Sequence, residues 1–192
     1  MEIIILLILS YSTGAIPTSI IVSKVAKNID IREHGSGNAG ATNVYRILGW
    51  KYALIVLLLD IFKAWLPTAV YAITISHPIS ILDTGFIQIL CGSFAVIGHT
   101  YPIFAKFKGG KGVGPLIGVL IALFPIAFPL CLIVAIGIII KTGYVSLGSI
   151  FAAISLPIFI LILPTVGIVS PNLSLVVFSL LVPWFVIYTH RS

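Results

Sequence analysis

Acidic residues are scarce in this chain. Five Asp and Glu stand against eleven Lys and Arg, and charged residues of both signs fill only 8% of 192 positions. A soluble domain carries roughly 25% charged residues, so a water-soluble fold is excluded. The mean hydropathy of +1.21 identifies an integral membrane protein instead. Cysteine is nearly absent as well. Cys91 and Cys131 each sit inside an apolar run, which argues against a disulfide, a zinc site or a thiol nucleophile. Carboxylates do not gather on the basic connections, so no metal site is expected there. Internal repeats, low-complexity tails and soluble segments are missing. The hydrophobic run starting at Ile3 leads on into further spans, without the pattern of a cleavable signal.

What is present is hydrophobic length. A helical span needs about 20 apolar residues, and runs near 3–23, 50–75, 86–104, 113–124, 130–140, 147–163 and 173–189 approach or meet this. The fourth and fifth are short and separated by Phe124 to Pro129, so they read either as two spans or as one kinked helix. The basic residues decide. Lys24, Lys27, Arg32, Arg46 and Lys51 fall in one connection, Lys106, Lys108 and Lys111 in another, Lys141 in a third and Arg191 at the end. Segments 76–85 and 164–172 hold no Lys or Arg. With seven spans every basic connection lies on one face, which is cytoplasmic by the positive-inside rule, with the N-terminus outside. The expected fold is therefore an all-α polytopic bundle of about seven transmembrane helices, forming one membrane-embedded domain over 1–192. Asp60 and Lys63 fall within the second span, on one helix face. They read either as a mutually neutralising pair or as the floor of a substrate site.

Three polar stretches share the basic face. The first, HGSGNAGATNVYR, offers Ser36, Gly37, Asn38, Gly40, Thr42 and Asn43, with Arg46 as a fixed cation. Its glycines fit G-x-G-x-x-G, but a dinucleotide fingerprint needs a preceding strand, and here a membrane span precedes. The second, KFKGGKGVGP, packs three lysines and four glycines into ten positions. It is not a Walker A loop, because Gly112 follows Lys111 where Ser or Thr is required. Its glycines would still let backbone N–H groups converge on an anion, beside Lys106, Lys108, Lys111 and the start of the next helix. A plain topology-setting loop needs the lysines but not Gly109, Gly110 and Gly112. The third, KTGYVSLGS, places Thr142 and Ser146 four residues apart. His99 and His190 end spans on this same face. His77 lies on the other and reads as an interfacial residue.

Together these stretches resemble the bacterial acyl-phosphate:glycerol-3-phosphate acyltransferase family. The resemblance runs through TGAIP, SGNAGATNVYR, LLDIFKAWLP, GHTYPIFAKFKGGKGV, TGYVSLGSI and the terminal THR, in order along the chain. It implies an inner-membrane enzyme with a cytoplasmic-face site. Such an enzyme moves a fatty acyl group from acyl phosphate to the sn-1 hydroxyl of glycerol 3-phosphate, giving lysophosphatidic acid and phosphate. It further implies essential roles for Ser36 and Arg46, a glycerol-phosphate cradle at Gly109 to Gly112, and a third motif beginning at His190. Two departures stand out. The chain stops at Ser192, where family members continue with an Asn and a distal Glu, and Gly114-Pro115 replaces the usual small-residue/Thr pair.

The chemistry implied needs positioning and charge stabilisation, with no cofactor. The expected partners are glycerol 3-phosphate, acyl phosphate and membrane lipid, without nucleic acid or a required protein. Thr42, Asn43 or Ser146 could hydrogen-bond the glycerol. The H-x4-D pair of soluble-type glycerolipid acyltransferases is missing: five residues after His34, His77 and His99 stand Ala39, Leu82 and Phe104. No histidine is thus expected to have an orienting carboxylate, and a substrate phosphate oxygen is favoured as proton acceptor over His99 or His190 acting alone. The competing class, an organic-phosphate transporter, would place its site near the midplane between repeats.

Overall fold

The structure, a computed structural model, describes residues 2–74, 83–168 and 171–191. His77 and Ser192 lie outside the described residues. Those described are helical, with short 3-10 turns and no strand among them. Among the described residues five segments are long and apolar enough to cross a bilayer: Glu2–Lys27, Trp50–Thr74, Thr84–Ala105, Val145–Val166 and Leu173–His190. Two shorter apolar helices, Val113–Leu123 and Ala127–Thr142, accompany them. Large apolar side chains stay exposed along the long and the short helices alike, for example Leu54, Leu58 and Phe62, or Ile133, Ile136 and Ile140. In water this would be a severe liability; in hydrocarbon it is the normal lipid-facing surface.

The helices gather into two compact units, Met1–Val119 and Leu120–Ser192. In the first lie α1 (Glu2–Gly14), α2 (Thr18–Lys27), α3 (Ala41–Leu48), α4 (Trp50–Ala69), α5 (Thr84–Thr100) and the start of α6 (Val113–Leu123). Lipid tails are as apolar as leucine, so membrane helices associate through close packing at small residues. That is how this unit is built. Gly14 lies against the backbone of Ala95, and Gly98 against the backbone of Tyr11 and Ala15, which joins α1 to α5. Gly118 lies against the Ile61 carbonyl and the Trp65 nitrogen, joining α6 to α4.

The second unit holds the end of α6, α7 (Ala127–Thr142), α8 (Val145–Ile162) and α9 (Leu173–His190). Gly148 on α8 sits against Ala135 and Ile139 of α7. Phe124 and Phe178 stack with centroids 6.4 Å apart. Phe124 to Ile126 interrupts the helix, so residues 113–142 form two helices rather than one.

Two local differences from the expected elements matter for the site. The first span is not continuous. Pro17 has no N–H to give the helix, α1 stops at Gly14 and α2 restarts at Thr18. The Ile16 carbonyl left at the break accepts from Thr18 N at 3.0 Å and from Lys63 Nζ at 2.8 Å. Second, the SGNAGATN stretch contains a helix. α3 starts directly after Gly40 and buries Asn43 and Val44.

Candidate active site

The site is built where the two glycine-bearing connections meet the break in the first span. A shallow recess, open to the outside, is lined by Pro17, Thr18, Ala39, Lys63, His99 and the Lys108–Gly110 segment, among others. All of these belong to the first unit.

The first connection is held by its own side chains. Asp30 caps the 3-10 turn Ile31–Glu33 by accepting from Arg32 N. Its carboxylate also takes a forked pair of bonds from the Arg32 guanidinium, Nε to Oδ1 at 3.0 Å and Nη2 to Oδ2 at 2.7 Å. The guanidinium hydrogen bond holds the Asp30 pKa at about 2, below the 3.8 of a free aspartate. Arg32 Nη1 then reaches across to the Ala105 carbonyl at 3.0 Å, tying the first connection to the second. Asn43 braces the glycine loop from inside. Its Oδ1 accepts from Ser36 N at 2.9 Å, and its Nδ2 donates to the carbonyls of Ile31 at 3.1 Å and His34 at 2.9 Å. Asn43 is 2% exposed. Its amide is bonded to the loop at both ends, to Ser36 N on one side and to the Ile31 and His34 carbonyls on the other. Ser36, Gly37, Thr42 and Arg46 are exposed, and Asn38 is half-buried beside Gly40, whose Cβ position would lie 2.9 Å from Asn38 Oδ1.

The second connection folds back onto the end of α5. Lys106 and Phe107 take left-handed backbone angles, φ 56° and 59°, an arrangement costing non-glycine residues on the order of 1–3 kcal/mol each. Phe107 N and Lys108 N donate to the carbonyls of Pro102 and Ala105. Gly110 N donates to the His99 carbonyl at 3.3 Å, so this N–H is taken up by the fold rather than aimed at an anion. The glycines serve close packing. A Cβ on Gly109 would run into the His99 carbonyl, and one on Gly110 into His99 Nε2 and, at 3.0 Å, the Ala39 carbonyl. Gly112, with φ 80°, occupies a conformation glycine adopts freely and other residues do not. Gly109 thus admits the carbonyl end of α5, and Gly110 the imidazole and the first connection, while Lys108 lines the recess and Lys106 and Lys108 are exposed. Lys111 is half-buried.

Beneath the recess lies a buried polar cluster. Asp60 Oδ1 accepts from Thr18 Oγ1 at 2.5 Å, pairs with Lys63 Nζ at 2.8 Å and lies 3.4 Å from His99 Nδ1. Asp60, Lys63 and His99 are 2%, 5% and 6% exposed. The expectation that no histidine has an orienting carboxylate is overturned: Asp60 reaches His99 from a neighbouring helix rather than from the H-x4-D position. Of the two readings of Asp60 and Lys63, the pairing is observed at 2.8 Å. They do neutralise each other, and Lys63 also lines the recess. Gly114 is explained too, since its Cβ position would fall 3.0 Å from Asp60 Cβ. A bulkier residue would push α6 off α4 next to the cluster. Thr18 escaped the sequence reading, although it follows TGAIP directly.

The remaining candidates belong to the second unit. Thr142 ends α7, its hydroxyl donating to the Ile138 carbonyl at 2.7 Å and accepting from Tyr144 N. Ser146 is exposed in the first turn of α8. His190 closes α9 with Nδ1 2.8 Å from the Val186 carbonyl, which fixes Nδ1 as the protonated nitrogen. Among the described residues no group of three or more His, Cys, Asp or Glu side chains is placed to hold a metal ion.

A model of the glycerol-3-phosphate acyltransferase family matches residues 4–192. The chain is 38% identical over 214 aligned residues to a glycerol-3-phosphate acyltransferase of Chlorobium chlorochromatii, covering 97% of this chain and 90% of that one. It is 40% identical to the Chlorobaculum parvum protein of the same name, covering 95% and 88%. Two crystal structures of PlsY, an integral membrane glycerol 3-phosphate acyltransferase, superpose over the whole chain at 34% identity. The glycerol 3-phosphate form has a TM-score of 0.80 and the lysophosphatidic acid form 0.81, with 89% of each covered.

Proposed function

The chain belongs to the glycerol-3-phosphate acyltransferase family, and from that premise we propose that it uses acyl phosphate as donor and acylates the sn-1 hydroxyl of glycerol 3-phosphate. The products are lysophosphatidic acid and inorganic phosphate. The observation carrying this reading is the meeting of both glycine-bearing connections over a recess lined by Lys63, Lys108 and His99. Such a place suits a small phosphate monoester. Coenzyme A, with adenosine and several phosphates on a long arm, needs more enclosing surface than these short connections provide. An acyl phosphate needs a grip on one phosphate while its chain lies among helices or lipid.

The chain acts as one membrane-embedded acyltransferase domain in the bacterial inner membrane. It makes seven passes, with α6 and α7 crossing as short spans, the N-terminus outside and the site at the cytoplasmic face. Ser36 and Arg46 act on the substrates from the first connection and His190 from the end of α9. Lys106, Lys108 and Lys111 supply positive charge, Gly37, Asn38, Gly40 and Thr42 bind substrate from the first unit, and Thr142 and Ser146 belong to the binding residues of the second. The leaving group of an acyl phosphate is already an anion, so catalysis consists mainly of holding two phosphates and setting one hydroxyl against one carbonyl.

The test is to give purified protein palmitoyl phosphate or palmitoyl-CoA with glycerol 3-phosphate and to measure lysophosphatidic acid. The acyl phosphate is expected to give product and phosphate only when glycerol 3-phosphate is present. Comparable product from the thioester would overturn the donor assignment. Movement of labelled substrate across vesicles without turnover would indicate a transporter.

A further inference from the structure

We propose that Arg32 is a positioning residue: through the Ala105 carbonyl it holds the turn that delivers Lys108 to the recess, where the ammonium grips the phosphate of glycerol 3-phosphate. This rests on the reaction proposed above.

The starting point is an unfavourable turn. Lys108 N donates to the Ala105 carbonyl at 3.2 Å, which closes a four-residue turn from Ala105 to Lys108. Its two central residues, Lys106 and Phe107, have φ 56° and 59°. This is the mirror-image turn, whose central positions favour glycine, asparagine and aspartate because a Cβ is crowded at positive φ. Here a lysine and a phenylalanine stand at both places, with their side chains exposed and little packing to hold them. The turn needs support from outside its own four residues.

Arg32 supplies that support. Asp30 grips the guanidinium at Nε and Nη2, and this fork aims Nη1 across to the Ala105 carbonyl at 3.0 Å. A carbonyl has two lone pairs, so this one accepts both the bond that closes the turn and the bond that pins it. The methyl group of the same residue is buried in a cluster with Ile20, Ile31, Ala39 and Val44. Ala105 is thereby fastened to the first connection by its side chain and by its backbone, directly before the strained pair.

The two cations have separate tasks. Each of the three guanidinium nitrogens of Arg32 has a protein partner, and the recess is lined by Lys108 and not by Arg32. Arg32 spends its charge on the fold, and Lys108 carries the charge that meets the anion. Lysine at position 32 would not substitute, because a single ammonium lacks the planar fork that holds a carboxylate and a carbonyl on fixed bearings.

The experiment uses the full chain in detergent. Calorimetry gives the Kd of glycerol 3-phosphate, and lysophosphatidic acid production from palmitoyl phosphate gives KM and kcat. A wild type that binds glycerol 3-phosphate but makes no product would refute the reaction, while the Kd values would still decide the role of Arg32. Arg32→Ala is expected to weaken Kd about tenfold, the loss of one charge-assisted bond. KM should rise in step and kcat stay within about threefold, because the loss falls on ground-state binding. Arg32→Lys should behave like Arg32→Ala. Phe107→Gly alone should leave Kd unchanged, since glycine takes the left-handed angle freely. Combined with Arg32→Ala, it should bring Kd back to within about threefold of wild type, because the turn then stands without its pin. Relief of strain at position 107 would not repair a phosphate contact made by Arg32 itself. Wild-type Kd in Arg32→Ala, a weakened Kd that the glycine does not restore, or weak binding by Phe107→Gly alone overturns the proposal. If Arg32→Ala fails to fold, the melting temperature of Phe107→Gly decides: a rise is expected, and an unchanged or lowered value, showing no strain in the turn, overturns the proposal.

Discussion

Replacing Gly110 by alanine separates two accounts of the glycine-rich connection. As an anion cradle, the segment would lose ground-state binding, and the damage would appear in KM. The structure points elsewhere. The new methyl would lie well inside contact distance of His99 Nε2, 2.9 Å from its Cε1 and 3.0 Å from the Ala39 carbonyl. Ordinary carbon contacts sit near 3.5–4.0 Å, so the imidazole must retreat by roughly 1 Å. Overpacking of this kind costs about 1–3 kcal/mol. The side chain is the easier neighbour to move, but it is held at Asp60 by a contact already 3.4 Å long. Retreat therefore breaks or skews the His99–Asp60 geometry. A misplacement of about 1 Å at a group lining the site can cost about 10²-fold in rate, so kcat should fall about 100-fold, with KM for glycerol 3-phosphate changing far less. Phosphate release from palmitoyl phosphate, followed over a range of glycerol 3-phosphate concentrations, gives both constants. A folded Gly110→Ala protein with normal kcat and raised KM would refute the packing argument and restore the cradle.

Three further outcomes are expected. Asn43→Ala should lower thermal stability in detergent by about 1–3 kcal/mol, since one buried and two partly buried loop groups lose partners worth about 1 kcal/mol each; an unchanged melting temperature would mean the loop stands without its brace. Arg46→Lys should lose about 1.5–3 kcal/mol, or roughly tenfold to a hundredfold in kcat/KM, because lysine lacks the planar fork that grips phosphate; near-normal activity would reduce Arg46 to a topology-setting charge. The Asp30–Arg32 pair should be sensitive to acid: the folded-state pKa is depressed from 3.8 to about 2, so its contribution is full above pH 3.8 and is lost as pH falls through about 2. The wild type should then lose on the order of 1 kcal/mol more than Arg32→Ala across that window in melting experiments, the exposure of the pair limiting its worth, and parallel curves would contradict this.

Membrane character, the approximate spans and the polar connections were legible because they are local and additive. Twenty apolar residues in a row partition into lipid whatever their neighbours do, and a stretch such as KFKGGKGVGP cannot sit inside a span. The motif residues were visible as types for the same reason. Their roles were not. Asn43 looked like a substrate contact because an asparagine in a glycine loop has free bonding capacity on paper; only the folded loop shows that capacity used by Ser36, Ile31 and His34. Gly110 looked like bare backbone offered to an anion, but its bareness makes room for an imidazole from α5. The meeting of His99 with Asp60 leaves no spacing signature, because the two residues ride on different helices, α5 and α4, brought together by packing such as Gly92 against Thr68 rather than by sequence distance. The first span read as one continuous run, and the break at Pro17, with the freed Ile16 carbonyl taken up by Lys63, emerged only in the fold. Sequence determined which groups this chain buries in lipid and which it holds at the surface; tertiary structure decided which of them touch, because contact between helices depends on the fit of whole surfaces and not on any one segment's composition.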